Sequence, residues 1–133
     1  MTDTKIPELR RALLTDPNFV MLGTIRPDDT VQVNPMWVDW DQETDTLRFT
    51  HTTYRQKYKN LQHNPSMSVA VFAPDDPLDY LEVRGKLIEV IPDPEGAYYV
   101  HLQNRYGNPS HVPPKDKADR VILVMSIDKA FAR

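Results

Sequence analysis

Six short segments rich in apolar and β-branched residues constrain the fold of this 133-residue chain more than any other feature. They read NFVMLGTIR, VQVNPMWVDW, TLRFTHT, MSVAVFA, YLEVRGKLIEVI and RVILVMSID, and turn-type stretches such as PDDT and DQETD separate several of them. Segments of this length and composition are typical of β-strands. Their spacing is too tight for repeated βαβ units. The sequence therefore predicts one domain over residues 1–133, an antiparallel β-barrel or curled sheet with peripheral helices.

Three further segments carry a helical periodicity of apolar residues. They read IPELRRALL, TYRQKYKNLQH and PEGAYYVHLQNRYG. In the first, Ile6, Leu9 and Leu13 are expected on one buried face. In the third, Gly107 is placed to end the helix. The pattern predicts three short helices packed outside the strands.

Two residues mark irregular points in the strands. Pro35 lies inside the second segment, and proline cannot donate a hydrogen bond to a strand ladder, so this strand is expected at an edge or a bulge. Gly85 lies in the middle of the fifth segment and predicts a bulge or bend there.

Composition excludes several classes of function. A net charge of −3 argues against a general nucleic-acid or acidic-membrane surface. No apolar run approaches the length of a membrane-spanning helix, and the charged N-terminus lacks the apolar core of a signal peptide. The chain has no cysteine, which excludes disulfides, thiolate metal sites and cysteine nucleophiles and fits a cytoplasmic protein.

Acidic residues are absent from one long window, Thr46 to Pro74, which carries Arg48, Arg55, Lys57 and Lys59. Because the whole chain carries −3 and this window carries +4, the remaining residues carry −7. Such segregation is sharper than a well-mixed protein surface would give.

The cations of this window crowd a predicted helix start, where the backbone dipoles already place partial positive charge. Thr53 and Gln56 fit a capping box, which would put Arg55 and Lys57 in the first helical turn. The neighbouring THTT supplies further donors, and no acid lies nearby in sequence. Together these features predict a phosphate site. The alternative is an ordinary solvated helix face.

Catalytic motifs are missing. With four glycines the chain has neither a Walker loop nor GxGxxG, and its four histidines lack a metal-ligand spacing, so no metal site is expected. There is no GxSxG nucleophile and no obvious acid–base pair, so no catalytic residue is assigned. The sequence offers a binding site in which a cofactor would carry out the chemistry.

The order VMLGTIRPDDTVQVNPMWVDWD, TLRFTHTTYRQKYKNLQHNPSMSVAVF and YLEVRGKLIEV resembles the pyridoxamine 5′-phosphate oxidase-like FMN-binding split-barrel superfamily. In particular it resembles the actinobacterial branch that uses the deazaflavin coenzyme F420. The similarity runs from about Phe19 to Ile127, and its strongest element is R-x-K-x-x-N-L-x-x-N-P, here Arg55 to Pro65.

The resemblance implies a six-stranded antiparallel split β-barrel that forms a homodimer with two cofactor sites at its interface. It implies that the cofactor phosphate is held by Arg55 and Lys57, with Thr52 and Thr53 nearby, and that Asn60 bonds the ribityl or phosphate region. It implies a ring site lined by Thr50 and His51 and backed by Gln32, Asn34, Pro35, Met36 and Trp37. Tyr80 is expected to reach in from the partner subunit. The alternative for Pro35, Met36 and Trp37 is an ordinary edge, core or interface role.

The implied function is a coenzyme F420-dependent reductase that transfers hydride to an activated double bond of a small organic substrate. The phosphate site itself does not choose between F420 and FMN. Lys59 and Arg48 would widen a basic groove for the longer F420 tail, and the C-terminal segment SIDKAFAR lacks the extension of true pyridoxamine phosphate oxidases. The alternatives are an FMN-binding oxidase or redox protein of the same fold, a non-catalytic cofactor carrier, and a phosphate-binding protein unrelated to flavins.

Overall fold

The structure is a computed structural model that describes residues 3–133. Its helices are α1 (Ala12–Thr15), α2 (Gln56–His63) and α3 (Ala97–Arg105), and short 3-10 turns cover Glu8–Arg10 and Lys117–Asp119. The predicted first helix is therefore a 3-10 turn followed by one helical turn. Leu9 was expected on its buried face but is 86% exposed, whereas Leu13 and Leu14 are buried. Ile6 is buried as predicted, so two of the three residues expected on the buried face are in the core.

The strands within residues 3–133 number eight rather than the six predicted. They are β1 (Val20–Ile25), β2 (Val31–Met36), β3 (Asp39–Asp41), β4 (Thr46–Thr52), β5 (Ser66–Ala73), β6 (Asp76–Pro92), β7 (Arg120–Ser126) and β8 (Lys129–Ala132). One addition arises because VQVNPMWVDW breaks at Trp37 and Val38 into β2 and β3. The other is the C-terminal β8, which the sequence pattern did not predict.

All strands pair antiparallel, in the order β2-β1-β5-β6-β7-β4-β3, and β8 pairs with the first half of β6. The long β6 joins two groups of strands: its first part pairs with β5 and its last part, Leu87–Pro92, pairs with β7. The sheet does not close, because β2 and β3 end the order. This is the mainly β split-barrel architecture predicted from the sequence.

The core lies inside the curl of this sheet. Its largest buried side chains include Leu22, Leu47, Phe49, Leu81 and Leu123, one or more from most of the central strands. Burial of such side chains contributes about 1.5–3 kcal/mol each relative to exposure. Alternation is clear in β5, whose burial pattern switches at nearly every residue.

Pro35 has the role that the sequence predicted, whereas the register shift in β6 lies between Leu87 and Glu89 rather than at Gly85. Pro35 lies on β2, which is an edge strand and pairs with β1 alone among the described strands, opposite Met21. Gly85 lies where β6 changes partners, and a Cβ on it would come 1.7 Å from the backbone oxygen of Ser126. Only glycine allows two strands to approach this closely.

α3 is held against the loop between β2 and β3. The Arg105 guanidinium donates to the carbonyl oxygens of Leu14, Asp16 and Val38, and the Tyr106 hydroxyl donates to that of Asn18 at 2.7 Å. Gly107, with φ of +85°, follows the helix end as predicted. These bonds fix the position of α3 beside Trp37. Among residues 3–133, no helix has the length and hydropathy needed to cross a bilayer.

Candidate functional site

A cavity of about 480 Å³ opens where the ends of β2 and β4 meet the starts of α2 and β7. We call it the cationic pocket. Its described lining consists of Phe19, Pro35, Met36, Trp37, Thr50, His51, Arg55, Lys57, Tyr99 and Arg120. Seven of these residues were predicted site residues, so the structure brings together segments that lie apart in sequence.

Three cations face this cavity. Arg55 and Lys57 come from the start of α2, and Arg120 is the first residue of β7. Of the described residues that line the pocket, none is acidic. An anionic ligand would therefore meet a locally positive surface although the whole chain is negative.

The start of α2 differs from the prediction. The helix begins at Gln56 with Arg55 as its N-cap residue, and no side chain caps it. The predicted capping box is wrong: the Thr53 amide donates instead to the carbonyl of Asp119, and Gln56 donates to Asn60. Thr53 is exposed and does not line the pocket. The uncapped first turn keeps amide groups available to a ligand.

Lys57 is half-buried and its Nζ donates to the Asn34 Oδ1 at 3.1 Å. Burial lowers the pKa of the Lys57 ammonium, and the nearby Arg55 charge lowers it further. An ammonium has three donors, so this single bond orients the group and leaves two donors for a ligand. A negative ligand would also relieve the unfavourable burial of the charge.

Asn60 has a different place from the one expected. Its side chain is fully buried, where its Nδ2 donates to Thr24 at 3.1 Å and to Gln32 at 2.9 Å, and its Oδ1 accepts from Gln56. Direct contact with a cofactor is not available to it in this arrangement, because every polar atom is engaged inside the protein. We correct its role to holding α2 against β1 and β2.

Gln32 and Asn34 belong to the same hydrogen-bond network and do not line the pocket. The Gln32 Nε2 donates to the Asn34 Oδ1 at 2.9 Å, and that oxygen also accepts from Lys57. Gln32 and Asn34 were predicted to contact the cofactor ring. In the structure they position the Lys57 ammonium instead. Pro35, Met36 and Trp37, which follow on the same strand, do reach the pocket wall.

The end of β4 carries polar atoms without partners. Within residues 3–133, Thr50 Oγ1, His51 Nε2 and Thr52 Oγ1 are buried and make no hydrogen bond. Thr50 and His51 line the pocket, whereas Thr52 is fully buried behind it. Buried polar groups are nearly always satisfied in native proteins, so the Thr50 hydroxyl and the His51 Nε2 mark a place where a polar ligand or a water can bind.

His51 is neutral in this setting. Burial lowers its pKa to about 3, and the charges of Lys57, Arg55 and Arg120 act in the same direction. A neutral imidazole offers one donor and one acceptor at physiological pH.

Aromatic side chains form part of the cavity wall and the layer behind it. Trp37 stacks on Tyr106 with ring centroids 5.7 Å apart and packs against Tyr99 at 5.6 Å, and Phe19 meets Tyr106 edge-on. Arg120 lies over the Tyr99 ring at 4.7 Å. Such a wall suits a planar, conjugated ligand.

The sequence analysis missed Phe19, Tyr99 and Arg120 as site residues. Little in the sequence marked these residues as site residues. Tyr99 belongs to a helix face with the periodicity of ordinary core residues, and Arg120 is the first residue of an apolar strand. Arg120 reaches the site because β7 pairs with β4 in a register that sets it opposite Thr52.

An acid does lie near the cations, contrary to the sequence-based expectation. Asp116 accepts from Arg120 Nε at 3.0 Å and Nη2 at 3.3 Å, and from the Tyr54 hydroxyl at 2.8 Å. Arg55 Nη2 lies 3.9 Å from the same carboxylate. Burial raises the pKa of Asp116, but the hydrogen bonds from Tyr54 and Arg120 outweigh it and leave the pKa below its usual value.

The remaining predicted residues lie away from the pocket. Arg48 pairs with Asp41 at 3.5 Å, so it does not widen a basic groove, and Lys59 is exposed. Tyr80 lies on β6 and does not line the pocket; its contact from a partner subunit stays a prediction. The described part of the chain contains no group of three side chains placed to hold a metal ion.

Comparison with known proteins identifies the family of this chain. The family model described as pyridoxamine 5′-phosphate oxidase matches residues 6–133. A solved structure titled F420 reductase is 48% identical, covers 96% of this chain and 100% of its own, and superposes with a TM-score of 0.91. No curated protein matches the sequence.

More distant structures share the fold. The General Stress Protein 26 from Bacillus anthracis is 21% identical with a TM-score of 0.67, over 91% of this chain and 88% of its own. HupZ from Group A Streptococcus is 19% identical with a TM-score of 0.65, over 96% and 93%. Because the family model spans nearly the whole chain and the split-barrel fold agrees, this protein belongs to the pyridoxamine 5′-phosphate oxidase family.

Proposed function

We propose that this protein is a coenzyme F420-dependent oxidoreductase that passes hydride between the deazaflavin and a small organic substrate. The observation that carries the proposal is the cationic pocket, in which Arg55 and Lys57 meet two orphaned polar atoms and an aromatic wall. The 48% identity to an F420 reductase over nearly the whole chain supports F420 as the cofactor.

The residues present fit such a cofactor at its phosphate and at its ring. A phosphate diester would be held by Lys57 and Arg55, because charge-assisted hydrogen bonds from these groups are the strong ones. A planar ring would lie along Pro35, Met36 and Trp37. The buried Thr50 hydroxyl and His51 imidazole would gain the hydrogen-bond partners that they lack within the described chain.

The bound deazaflavin supplies hydride transfer chemistry, and the protein supplies binding and orientation. Lys57 is positioned by Asn34, and Asn34 is in turn fixed by Gln32. His51 stays neutral and so does not add a fourth charge beside the ring. Pro35 and Trp37 line the pocket, where they would orient the cofactor ring.

We also propose the homodimer expected from the sequence, with Tyr80 of the second copy completing each site. Its support is that several apolar side chains on the outer face of β1, β2 and β5 remain exposed, among them Met21, Val31, Val33 and Phe72. The cytoplasmic location is likewise kept as an expectation, on the absence of cysteine.

Binding experiments separate the two cofactors. The purified protein is expected to be colourless, and added F420 is expected to quench the fluorescence of Trp37, which lines the pocket. Buried Trp40 is an internal background that Trp40→Phe removes. Turnover is then measured with reduced F420 against quinones, enones and tetrapyrroles. The proposal is supported if F420 binds and one of these substrates oxidises reduced F420. It is contradicted if neither F420 nor FMN quenches the Trp37 fluorescence.

Two alternatives have distinct outcomes in the same experiments. A yellow protein with flavin absorption as purified would indicate an FMN-binding oxidase or redox protein. Tight F420 binding without turnover of any acceptor would indicate a carrier, which agrees with the lack of an acid–base pair in the pocket. The shared phosphate explains why the pocket cations alone do not separate F420 from FMN.

A further inference from the structure

Asp116 stands at an unusual place for an acid. It lies on the segment between α3 and β7, just outside the cationic pocket, and its carboxylate contacts two of the three pocket cations. It anchors the buried Arg120 guanidinium, but among the described residues it makes no hydrogen bond to Arg55 or Lys57 of the proposed phosphate site. The carboxylate competes for the positive charge that a bound anion would use.

The two arginines are held by Asp116 to very different degrees. The Arg120 side chain is 6% exposed, bonds both carboxylate oxygens and lies on the Tyr99 ring. The Arg55 side chain is 52% exposed and lies 3.9 Å from the carboxylate, beyond hydrogen-bond distance. Arg55 can therefore turn toward an arriving anion, whereas Arg120 stays fixed.

We propose that Asp116 is a built-in counter-ion that shares Arg55 with the bound anion and thereby limits the affinity of the cationic pocket. Without a ligand, Asp116 neutralises part of the positive charge. With a ligand, its negative charge remains near Arg55 and repels the anion. The proposal rests on the proposed function only in naming the anion as a cofactor phosphate, and it implies a cofactor that exchanges rather than one held permanently.

The test compares Asp116→Asn with Asp119→Asn. Both variants remove one negative charge from the same segment, but Asp119 is exposed and its side chain makes no ion pair among the described residues. Inorganic phosphate is titrated first, by the amide NMR shifts of Arg55 to Lys57, and F420 second, by fluorescence. We expect Asp116→Asn to tighten binding of both by about three- to tenfold at low salt and by less at high salt. Asp119→Asn should behave as wild type.

Unchanged or weaker binding of phosphate by folded Asp116→Asn would overturn the proposal, as would an equal gain in Asp119→Asn. Folding of Asp116→Asn is checked by circular dichroism, because Arg120 loses its partner in this variant. If that variant does not fold, Tyr54→Phe decides. It keeps the ring beside Arg55 but frees one carboxylate oxygen of Asp116, so phosphate affinity should fall about twofold, and a rise or no change would contradict the account.

The phosphate titration keeps this inference separate from the proposed function. If wild type binds phosphate but neither F420 nor FMN, the cofactor assignment fails while the effect of Asp116 is still measured. If F420 binds and Asp116→Asn changes neither affinity, the cofactor assignment survives and the counter-ion role is refuted.

Discussion

The first turn of α2 and its middle both consist largely of polar residues, but they have different roles. At the start, Arg55 and Lys57 face a cavity and keep donors available. One turn later, Asn60 is fully buried and every polar atom of its amide has a partner. Unsatisfied polarity marks the part that binds a ligand, and satisfied polarity marks the part that holds the helix in place.

The two parts are also connected. Asn34 accepts from Lys57 on one side and from Gln32 on the other, and Gln32 accepts from Asn60. The buried network thus positions the Lys57 ammonium at the pocket. The predictions below separate the two roles by measuring stability and affinity on the same variants.

Asn60→Ala should have the largest effect on stability. It removes the hydrogen-bond partner of the buried Thr24 and of the more exposed Gln32 and Gln56, and it empties a fully buried position, which we expect to cost about 3 kcal/mol in free energy of unfolding. Denaturant unfolding measures this cost. Gln62→Ala, an exposed position on the same helix, is the control and should stay within about 0.5 kcal/mol of wild type. A loss of unfolding free energy in Asn60→Ala no larger than in Gln62→Ala would contradict the role of Asn60 in holding α2 in place.

Lys57→Ala should have the largest effect on affinity. Loss of a charged hydrogen bond to a phosphate is expected to weaken F420 binding by about 1.5–3 kcal/mol, or roughly 10- to 150-fold. Fluorescence titration measures the affinity. Lys59→Ala removes the same charge from an exposed position two residues later, and its affinity should remain close to that of wild type. Equal losses of F420 affinity in the two variants would mean that the effect comes from the net charge of the helix and not from a specific bond to Lys57.

His51 should produce a smaller, pH-dependent effect on stability. Its folded pKa of about 3 lies below the unfolded value near 6.5, so on acidification the unfolded chain takes up the proton first. The contribution of His51 is therefore complete above about pH 6.5 and is lost as the pH falls toward 3. Between pH 7.5 and 5, wild type should lose about 1–2 kcal/mol more than His51→Gln. Parallel pH profiles of unfolding free energy would contradict a buried neutral histidine.

The fold could be predicted from local patterns because strands, turns and the edge proline each depend on a few residues that are close in sequence. Pro35 indicated an edge strand before any strand order was known, whereas Gly85 was expected to mark a bulge or bend and marks a close approach to Ser126. The breaks were less predictable: β3 separates from β2 at Trp37 and Val38, where α3 packs, and β8 exists because β6 offers it a free edge. Those features depend on contacts distant in sequence.

The pocket could be predicted where one segment supplies it and not where distant segments do. Arg55 and Lys57 came from a local charge pattern, and Pro35 to Trp37 came from the resemblance to the split-barrel superfamily. Arg120 and Tyr99 enter through strand pairing and helix docking, which a single sequence does not display. The Thr53 cap failed for a related reason, because its amide pairs with Asp119 and keeps the chain extended beyond β4.

A crystal structure with bound F420 tests the central claim most directly. The account predicts a cofactor phosphate oxygen within about 3.2 Å of the Lys57 Nζ, with the Arg55 guanidinium turned from Asp116 toward it and the ring along Pro35, Met36 and Trp37. A cofactor bound with its phosphate away from the start of α2, and with Lys57 still bonded to Asn34 alone, would contradict it.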